Sequence, residues 1–468
     1  MAEAALVFDD REYTRSQIDA LVNGYARSLS AHGVEAGARV ALMSSNRPEF
    51  VAATYAIWQL GAAVVLISPA WKATEVRHAL AVSEATIGVG DSPVLASLAP
   101  MLDLDEPVTP SPEPVRSSEP DPEADAVLVF SSGTTGMPKA VRHSHRSLRA
   151  AIVHWRDALQ MTSADRIQVV TPPSHILGLL NIVTAMDVGA RIRLERRFDL
   201  DLLLRRIAED RITIEMAVAP IALAIASHPA LETFDLSSLR YIMWGATPVT
   251  HSVADTVTRR TGVEWVPAYG ASEIPVIACN PLDGPRLDSV GKTVPGVELR
   301  IVDLDTGSPV PLGAPGEIQL RAPSLMTGYL PPDANHEAFD DGWYRTGDVG
   351  YVDDDGWIFL TDRSKEMIKT RGFQVAPAEV ESVLHTHPAV ADCAVFGVPD
   401  SVIGERIVAA VALSGPAADD ELIEAVAERL ATYKCPSEIV VVDDIPRLPS
   451  GKVLRRVLKE NHGCPADK

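Results

Sequence analysis

The sequence predicts an α/β protein with a large N-terminal region of strands alternating with helices and a small α+β unit behind it. Three observations predict this. A chain of 468 residues is too long for one ordinary core. Short apolar runs alternate with stretches of helical periodicity through the first part, the pattern of βαβ units. Beyond Arg363 the pattern changes to helix, strand, strand, helix over 378–385, 390–396, 407–413 and 419–431.

The elements follow from local chemistry. Thr14 and Gln17 are spaced as a capping box, and Ile18, Leu21, Val22, Tyr25 and Leu29 repeat at helical spacing until Gly33 stops the turn. A β-rich run covers 39–43. Pro48 opens a second helix carrying Phe50, Ala53, Tyr55 and Trp58, and a buried strand follows at 63–67. Residues 106–124, rich in Pro, Ser, Glu and Asp without apolar period, read as a surface linker within the first domain. Asp355-Gly356 between two apolar runs predicts a hairpin over 351–360. The aspartates there do not make a calcium loop, because Tyr351 stands at the first ligand position. The domain boundary is expected at 362/363, giving domains 1–362 and 363–468.

Composition narrows the function classes. Hydrophobic residues at 46% and charged residues at 22% describe an ordinary globular protein, and the net charge of -21 argues against binding nucleic acid, which needs clustered Lys and Arg. Anionic small substrates stay open, since a site can be positive inside an acidic body. The four cysteines form no CxxC pair, which points to a reducing compartment without structural zinc. The N-terminus lacks a basic region followed by an apolar run, and no apolar stretch is long enough to cross a bilayer. A cytoplasmic location is expected.

The richest stretch is Ser131-Ser132-Gly133-Thr134-Thr135-Gly136-Met137-Pro138-Lys139, following the apolar run 127–130. Glycines let backbone approach a polyphosphate, hydroxyls and N–H groups donate to it, and Lys139 brings positive charge. The G-x-x-x-x-G-K-[ST] spacing of a Walker loop is absent. The bland reading, a solvated linker, seldom combines these residues after a buried strand.

With this loop the sequence resembles the adenylate-forming superfamily of acyl-CoA synthetases, luciferases and peptide-synthetase adenylation domains. Four further stretches carry the resemblance. Tyr269-Gly270-Ala271-Ser272-Glu273 is similar to Y-G-x-T-E, with serine for threonine, and Tyr344-Arg345-Thr346-Gly347-Asp348 matches Y-R-T-G-D. Asp362-Arg363-Ser364-Lys365-Glu366-Met367-Ile368-Lys369 with Gly372-Phe373-Gln374-Val375 resembles the hinge of 4-coumarate:CoA ligases, and Pro449-Ser450-Gly451-Lys452-Val453 resembles the C-terminal lysine motif. The match runs over 13–459, in the family's order. It implies layered α/β subdomains forming a large adenylate-forming domain, and a small mobile C-terminal lid hinged near Lys365.

The resemblance implies ATP, Mg²⁺ and CoA, and a role for each matching residue. Ser131, Ser132, Gly133, Thr134, Thr135, Gly136 and Lys139 would cradle the phosphates. Asp348 would accept from the ribose hydroxyls, and Arg363 would contact ribose or phosphate. Tyr269, Gly270 and Ser272 would bind the nucleotide, Tyr269 by stacking on adenine, while Gly245 and Ala246 let backbone come close to the base. Glu273 would hold the metal, and Lys452 would bridge carboxylate and α-phosphate. Lys369 and Gln374 would reach the nucleotide in one orientation of the lid, and Gly372 would leave room for pantetheine. Taken singly, each of these residues also has an ordinary structural fate, such as a solvated lysine or a turn glycine.

His175, in Pro172-Pro173-Ser174-His175-Ile176-Leu177-Gly178-Leu179, resembles a histidine of P-x-F-H-x-x-G-L that gates the acyl pocket and counts among the catalytic candidates. A satisfied core histidine fits its surroundings equally well. Trp244, Ala268, Pro275 and Val276 are expected beside it. No aspartate stands near Ser174 to pair with an ammonium, so an amino-acid substrate is disfavoured, and an apolar or aryl acid is expected. Ala140 replaces the family's usual glycine and adds a Cβ beside the phosphates. The acceptor stays open between CoA, a carrier-protein thiol and an amine. A catalytically silent nucleotide-binding regulator is the reading from another class, disfavoured because Lys452, Glu273 and Asp348 are all present.

Overall fold

The computed structural model describes residues 4–115, 120–131, 138–246, 251–363, 366–370, 373–400, 403–447 and 453–462. The predicted site residues Ser132, Gly133, Thr134, Thr135, Gly136, Lys365, Gly372 and Lys452 lie outside them, as do the side chains of Arg363 and Gln374. The chain divides into two compact units. The first comprises Met1–Ala217, Ile221–Glu298 and Arg321–Tyr344; the second comprises Val218–Pro220, Leu299–Leu320 and Arg345–Lys468.

The first unit is layered. Among the described residues it holds a seven-stranded sheet whose order begins Gly328–Leu330, Lys139–Ser144, Asp125–Ser131, Ala63–Leu66 and Arg39–Met43, and a nine-stranded sheet. The middle of the larger sheet is parallel and runs Trp265–Tyr269, Tyr241–Trp244, Ile214–Ala217, Arg166–Val169, Arg191–Leu194 and Ala4–Phe8. Helix His145–Leu159 packs on strands of the smaller sheet, helix Ile176–Val188 on strands of the larger, and the two helices pack on each other. Trp155 Nε1 donates to Asn181 Oδ1 across that junction at 2.8 Å, so a buried indole is satisfied without water.

The first helix forms as its sequence dictates. It spans Arg15–Ala31, Thr14 and Gln17 make the reciprocal capping box, and Gly33 takes φ 84° just past its end. Ile18, Tyr25 and Leu29 are buried, while Leu21 and Val22 are half-buried. Pro48 stands at the first position of helix Pro48–Gln59. The linker docks on the first helix, with Asn23 donating to the Ser111 carbonyl at 2.9 Å.

In the second unit the predicted hairpin is present: Trp343–Val352 pairs antiparallel with Ile358–Arg363, Val352 opposite Ile358, and Gly356 has φ 82°. The small α+β unit has helices Pro377–Leu384 and Asp419–Ala427 and strands Val390–Asp400 and Gly404–Leu413. The strands outrun their apolar stretches because their ladder continues to Asp400 opposite Gly404. The second helix stops short of 431 because the N–H groups of Arg429 and Leu430 both turn back to the Val426 carbonyl. Alternation sorts the sheet's faces. Cys393, Val395, Ala409 and Val411 join Val383, Leu384, Leu422 and Val426, while Ala394, Phe396, Val408 and Ala410 join Ile445 and Leu458. Strand Glu438–Val441 and helix Arg455–His462 were not anticipated, since one is a four-residue strand and the other buries only Leu458. No helix among the described residues is long and apolar enough to cross a membrane.

Candidate active site

In the first unit Ser131, Gly245 and Tyr269 stand at or just past the carboxyl ends of strands, where α/β sheets bind their ligands, and Lys139 opens the strand paired with that of Ser131. Strand Asp125–Ser131 returns as Lys139–Ser144, with Ser131 directly opposite Lys139, so these two residues flank the connection between the strands. The base of this hairpin is held by Asp125, which accepts from Arg39 Nη2 at 3.1 Å and from Arg142 Nη2 at 3.0 Å. His78 Nε2 reaches the Pro138 carbonyl at 2.9 Å.

Gly245 follows the end of strand Tyr241–Trp244, and Tyr269 ends the neighbouring parallel strand. No described atom would lie within 4 Å of a Cβ on Gly245, and Ala246 adopts φ 67°, unusual for a residue with a side chain. The turn after Tyr269 folds back, with Ala271 N–H donating to the Ile274 carbonyl at 2.9 Å. A Cβ on Gly270 would come within 2.2 Å of the Pro275 carbonyl oxygen, so packing explains that glycine without a ligand.

The turn is fixed by two contacts that no sequence motif announced. His143 Nε2–H donates to the Ser272 carbonyl at 2.7 Å, and Ser147 Oγ lies 3.3 Å from its Nδ1. Burial pushes this imidazole down to about 4, so it is neutral near pH 7. Glu273 is 9% exposed, and the Tyr329 hydroxyl donates to its Oε1 at 2.7 Å; that hydroxyl lies 3.3 Å from the Tyr344 hydroxyl. Lys139 Nζ stands 5.5 Å from the centroid of the Tyr329 ring. Tyr329 is 56 residues from Glu273 in sequence, and only the pairing of Gly328–Leu330 with Lys139–Ser144 brings it there.

His175 caps helix Ile176–Val188 without a side-chain cap bond. The residue is exposed, yet surrounding protein lowers its pKa by desolvation. Ser174 beside it is buried, and its Oγ has no partner among the described residues. Ala268 and Pro275 are half-exposed. Trp244 and Val276 are 1% and 0% exposed, and the Trp244 ring packs on Trp265 at 5.1 Å.

The second unit holds two further groups. Asp348 pairs with Arg363 across adjacent strands, and Thr346 Oγ1, which donates to the Ile318 carbonyl at 2.7 Å, accepts from Asp348 N–H at 3.0 Å. Lys369 is exposed on Ile368–Thr370 and stands opposite Gln374, with its N–H donating to Glu405 Oε2 at 2.7 Å. Arg455, three residues past Lys452, is tied to Glu366 and to Glu381 Oε1 at 2.6 Å.

Strand ends that present a lysine, hydroxyls, an aromatic ring and a buried carboxylate define a nucleotide-using α/β enzyme. Comparison narrows the class. The AMP-binding enzyme model matches residues 1–330, and that of the AMP-binding enzyme C-terminal domain matches residues 379–452. The chain is 35% identical to 4-coumarate–CoA ligase 1 of Oryza sativa subsp. japonica, over 96% of this chain and 87% of that one. o-Succinylbenzoate CoA synthetase from Bacillus subtilis, solved with its acyl-adenylate intermediate, superposes with a TM-score of 0.89 at 30% identity, over 98% and 95% of the two chains. An amide bond synthetase from Marinactinospora thermotolerans superposes at 0.90 and 30% identity, over 99% and 97%. The chain belongs to the AMP-binding, adenylate-forming enzyme family.

Proposed function

We propose that the chain activates an apolar or aryl carboxylic acid with ATP to acyl-AMP, releasing pyrophosphate, and passes the acyl group to CoA. The observation that carries this reading is the convergence of Lys139, Ser131, Tyr269 and Glu273 at strand ends in a chain 35% identical to a 4-coumarate–CoA ligase over nearly its whole length.

In the first step a carboxylate oxygen attacks the α-phosphorus and the bond to pyrophosphate breaks. Ser131, Lys139 and the loop between them bind the phosphates, Tyr269 and the backbone at Gly245 and Ala246 receive the adenine, and Asp348 with Arg363 receives the ribose. Lys452 neutralises the charge shared by carboxylate and α-phosphate, and a positive group already aimed at that developing charge accelerates the transfer more than any other device. Glu273 suits Mg²⁺, which takes one or two carboxylates and fills its remaining positions with phosphate oxygens and water. Once bound, that ion neutralises charge on the phosphates. The Oε1 of Glu273 is occupied by Tyr329, which orients the carboxylate.

In the second step the thiol sulfur attacks the acyl carbon, AMP leaves with the bonding pair, and the thiol proton passes to water. Lys365 is the hinge between domains 1–362 and 363–468, Lys369 and Gln374 serve one orientation of the lid, and Gly372 leaves room for pantetheine. His175, Ala268 and Pro275 line the mouth of the acyl site. The desolvated His175 is neutral near pH 7, which suits an uncharged acyl group. The protein works in the cytoplasm. The likeness to an amide bond synthetase favours a second reading in which an amine is the acceptor, and a carrier-protein thiol is the third acceptor to test.

Purified protein is given MgATP, a panel of acids and, separately, CoA, holo-carrier protein or amines, and products are read by mass spectrometry. An acyl-CoA formed faster than any other conjugate supports the reading; exclusive amide or carrier-bound product overturns the choice of acceptor.

A further inference from the structure

We infer that Tyr329 is a positioning residue that sets the geometry of the two charged groups around the ATP phosphates, holding Glu273 with its hydroxyl and Lys139 with its ring. The inference rests on the reading of Glu273 as the Mg²⁺ ligand and goes beyond it.

Tyr329 lies on Gly328–Leu330, paired to Lys139–Ser144 with Tyr329 opposite Val141. Its phenol is buried and donates to Glu273 Oε1 at 2.7 Å. Because that proton is committed to the carboxylate, the Tyr344 hydroxyl, 3.3 Å away, supplies its own proton to the Tyr329 oxygen. The chain Tyr344, Tyr329, Glu273 runs in one direction, and each bond polarises the next. Burial first, and the nearby Glu273 carboxylate second, push the Tyr344 phenol well above its ordinary range, so it remains a donor. A carboxylate held at one oxygen by a buried hydroxyl keeps one orientation. Partners that orient metal ligands in this way commonly change metal affinity by about 10–100-fold when removed.

The ring does separate work. Lys139 Nζ sits 5.5 Å from its centroid, within range of attraction to the π face. The ring face beside Lys139 restricts where its ammonium can stand, and that ammonium is the group read as meeting phosphate.

The two roles separate by substitution. Tyr329→Phe keeps the ring and loses the hydroxyl; Tyr329→Leu loses both. Mg²⁺ is titrated calorimetrically into protein holding a non-hydrolysable ATP analogue, and the analogue alone is titrated in EDTA, with melting temperature measured alongside. Tyr329→Phe is expected to weaken the Mg²⁺ constant about 10-fold and leave binding in EDTA unchanged, whereas Tyr329→Leu weakens both. A Tyr329→Phe protein that melts lower yet binds Mg²⁺ like the parent overturns the inference. If that variant does not fold, Tyr344→Phe decides, with a weakened Mg²⁺ constant supporting the relay and an unchanged one overturning it. Glu273→Gln is the control: if it too leaves the Mg²⁺ constant unchanged, the metal-ligand reading fails, whereas a shift there with none in Tyr329→Phe sinks only the role of Tyr329.

Discussion

Replacing His143 with glutamine should remove one defined component of the protein's acid sensitivity. The imidazole is fully buried, and burial holds its pKa at about 4 against an ordinary 6.5. Above pH 6.5 it is neutral in both folded and unfolded chains, and its contribution to stability is whole. Between 6.5 and 4 the unfolded chain takes up a proton that the folded chain refuses, so stability falls as pH drops. Below 4 both forms are charged and the loss levels off. At about 1.36 kcal/mol per pH unit, the gap amounts to about 3 kcal/mol. Burial also lowers His145, His154 and His175, but these titrate in parent and variant alike and cancel in the difference. Urea unfolding of both proteins from about pH 7.5 to about pH 4 gives the test. The stability advantage of the parent should shrink by about 3 kcal/mol across that range. A difference constant to within about 0.5 kcal/mol, the usual scatter of independent sites, would refute the burial argument.

Three other outcomes are expected. Lys452→Ala should slow acid-dependent pyrophosphate exchange by about 100-fold or more, the scale of losing a preorganised charge, and a near-normal exchange rate would remove it from the chemistry. Lys365→Pro should keep pyrophosphate release but lose thioester formation, because a hinge absorbs its backbone change at few positions; equal loss of both steps would displace the hinge. Gly270→Ala drives a Cβ to 2.2 Å from the Pro275 carbonyl oxygen and should cost about 1–3 kcal/mol in denaturant unfolding, whereas unchanged stability would show that the turn relaxes freely.

Much of the fold was legible because local rules agreed with it. The capping box at Thr14, the proline opening at Pro48 and the Asp355-Gly356 hairpin each depend on neighbours within a few residues, and each stands where the pattern puts it. Strand ends at 400 and 404 were not legible, since a ladder is extended by its partner rather than by its own apolar run. The same distinction divides the site. Motifs single out Ser131, Lys139, Tyr269, Glu273, Asp348 and Arg363 as candidates, and strand register sets Ser131 opposite Lys139 and Asp348 opposite Arg363. His143, Tyr329 and Tyr344 act on Ser272 and Glu273 from 129, 56 and, through Tyr329, a further 15 residues away, so no window of sequence contains both ends of the contact. For Trp244 and Val276 the neighbouring motif says nothing about burial, and both are packed inside the protein.

The most direct measurement incubates purified protein with MgATP and a broad carboxylic acid library, without any acceptor, and looks for acyl-AMP by mass spectrometry together with stoichiometric pyrophosphate. At least one apolar or aryl acid should give the mixed anhydride, and Lys452→Ala should abolish it. Protein that binds ATP yet forms no adenylate with any acid in the library would contradict the assignment of catalysis to this chain.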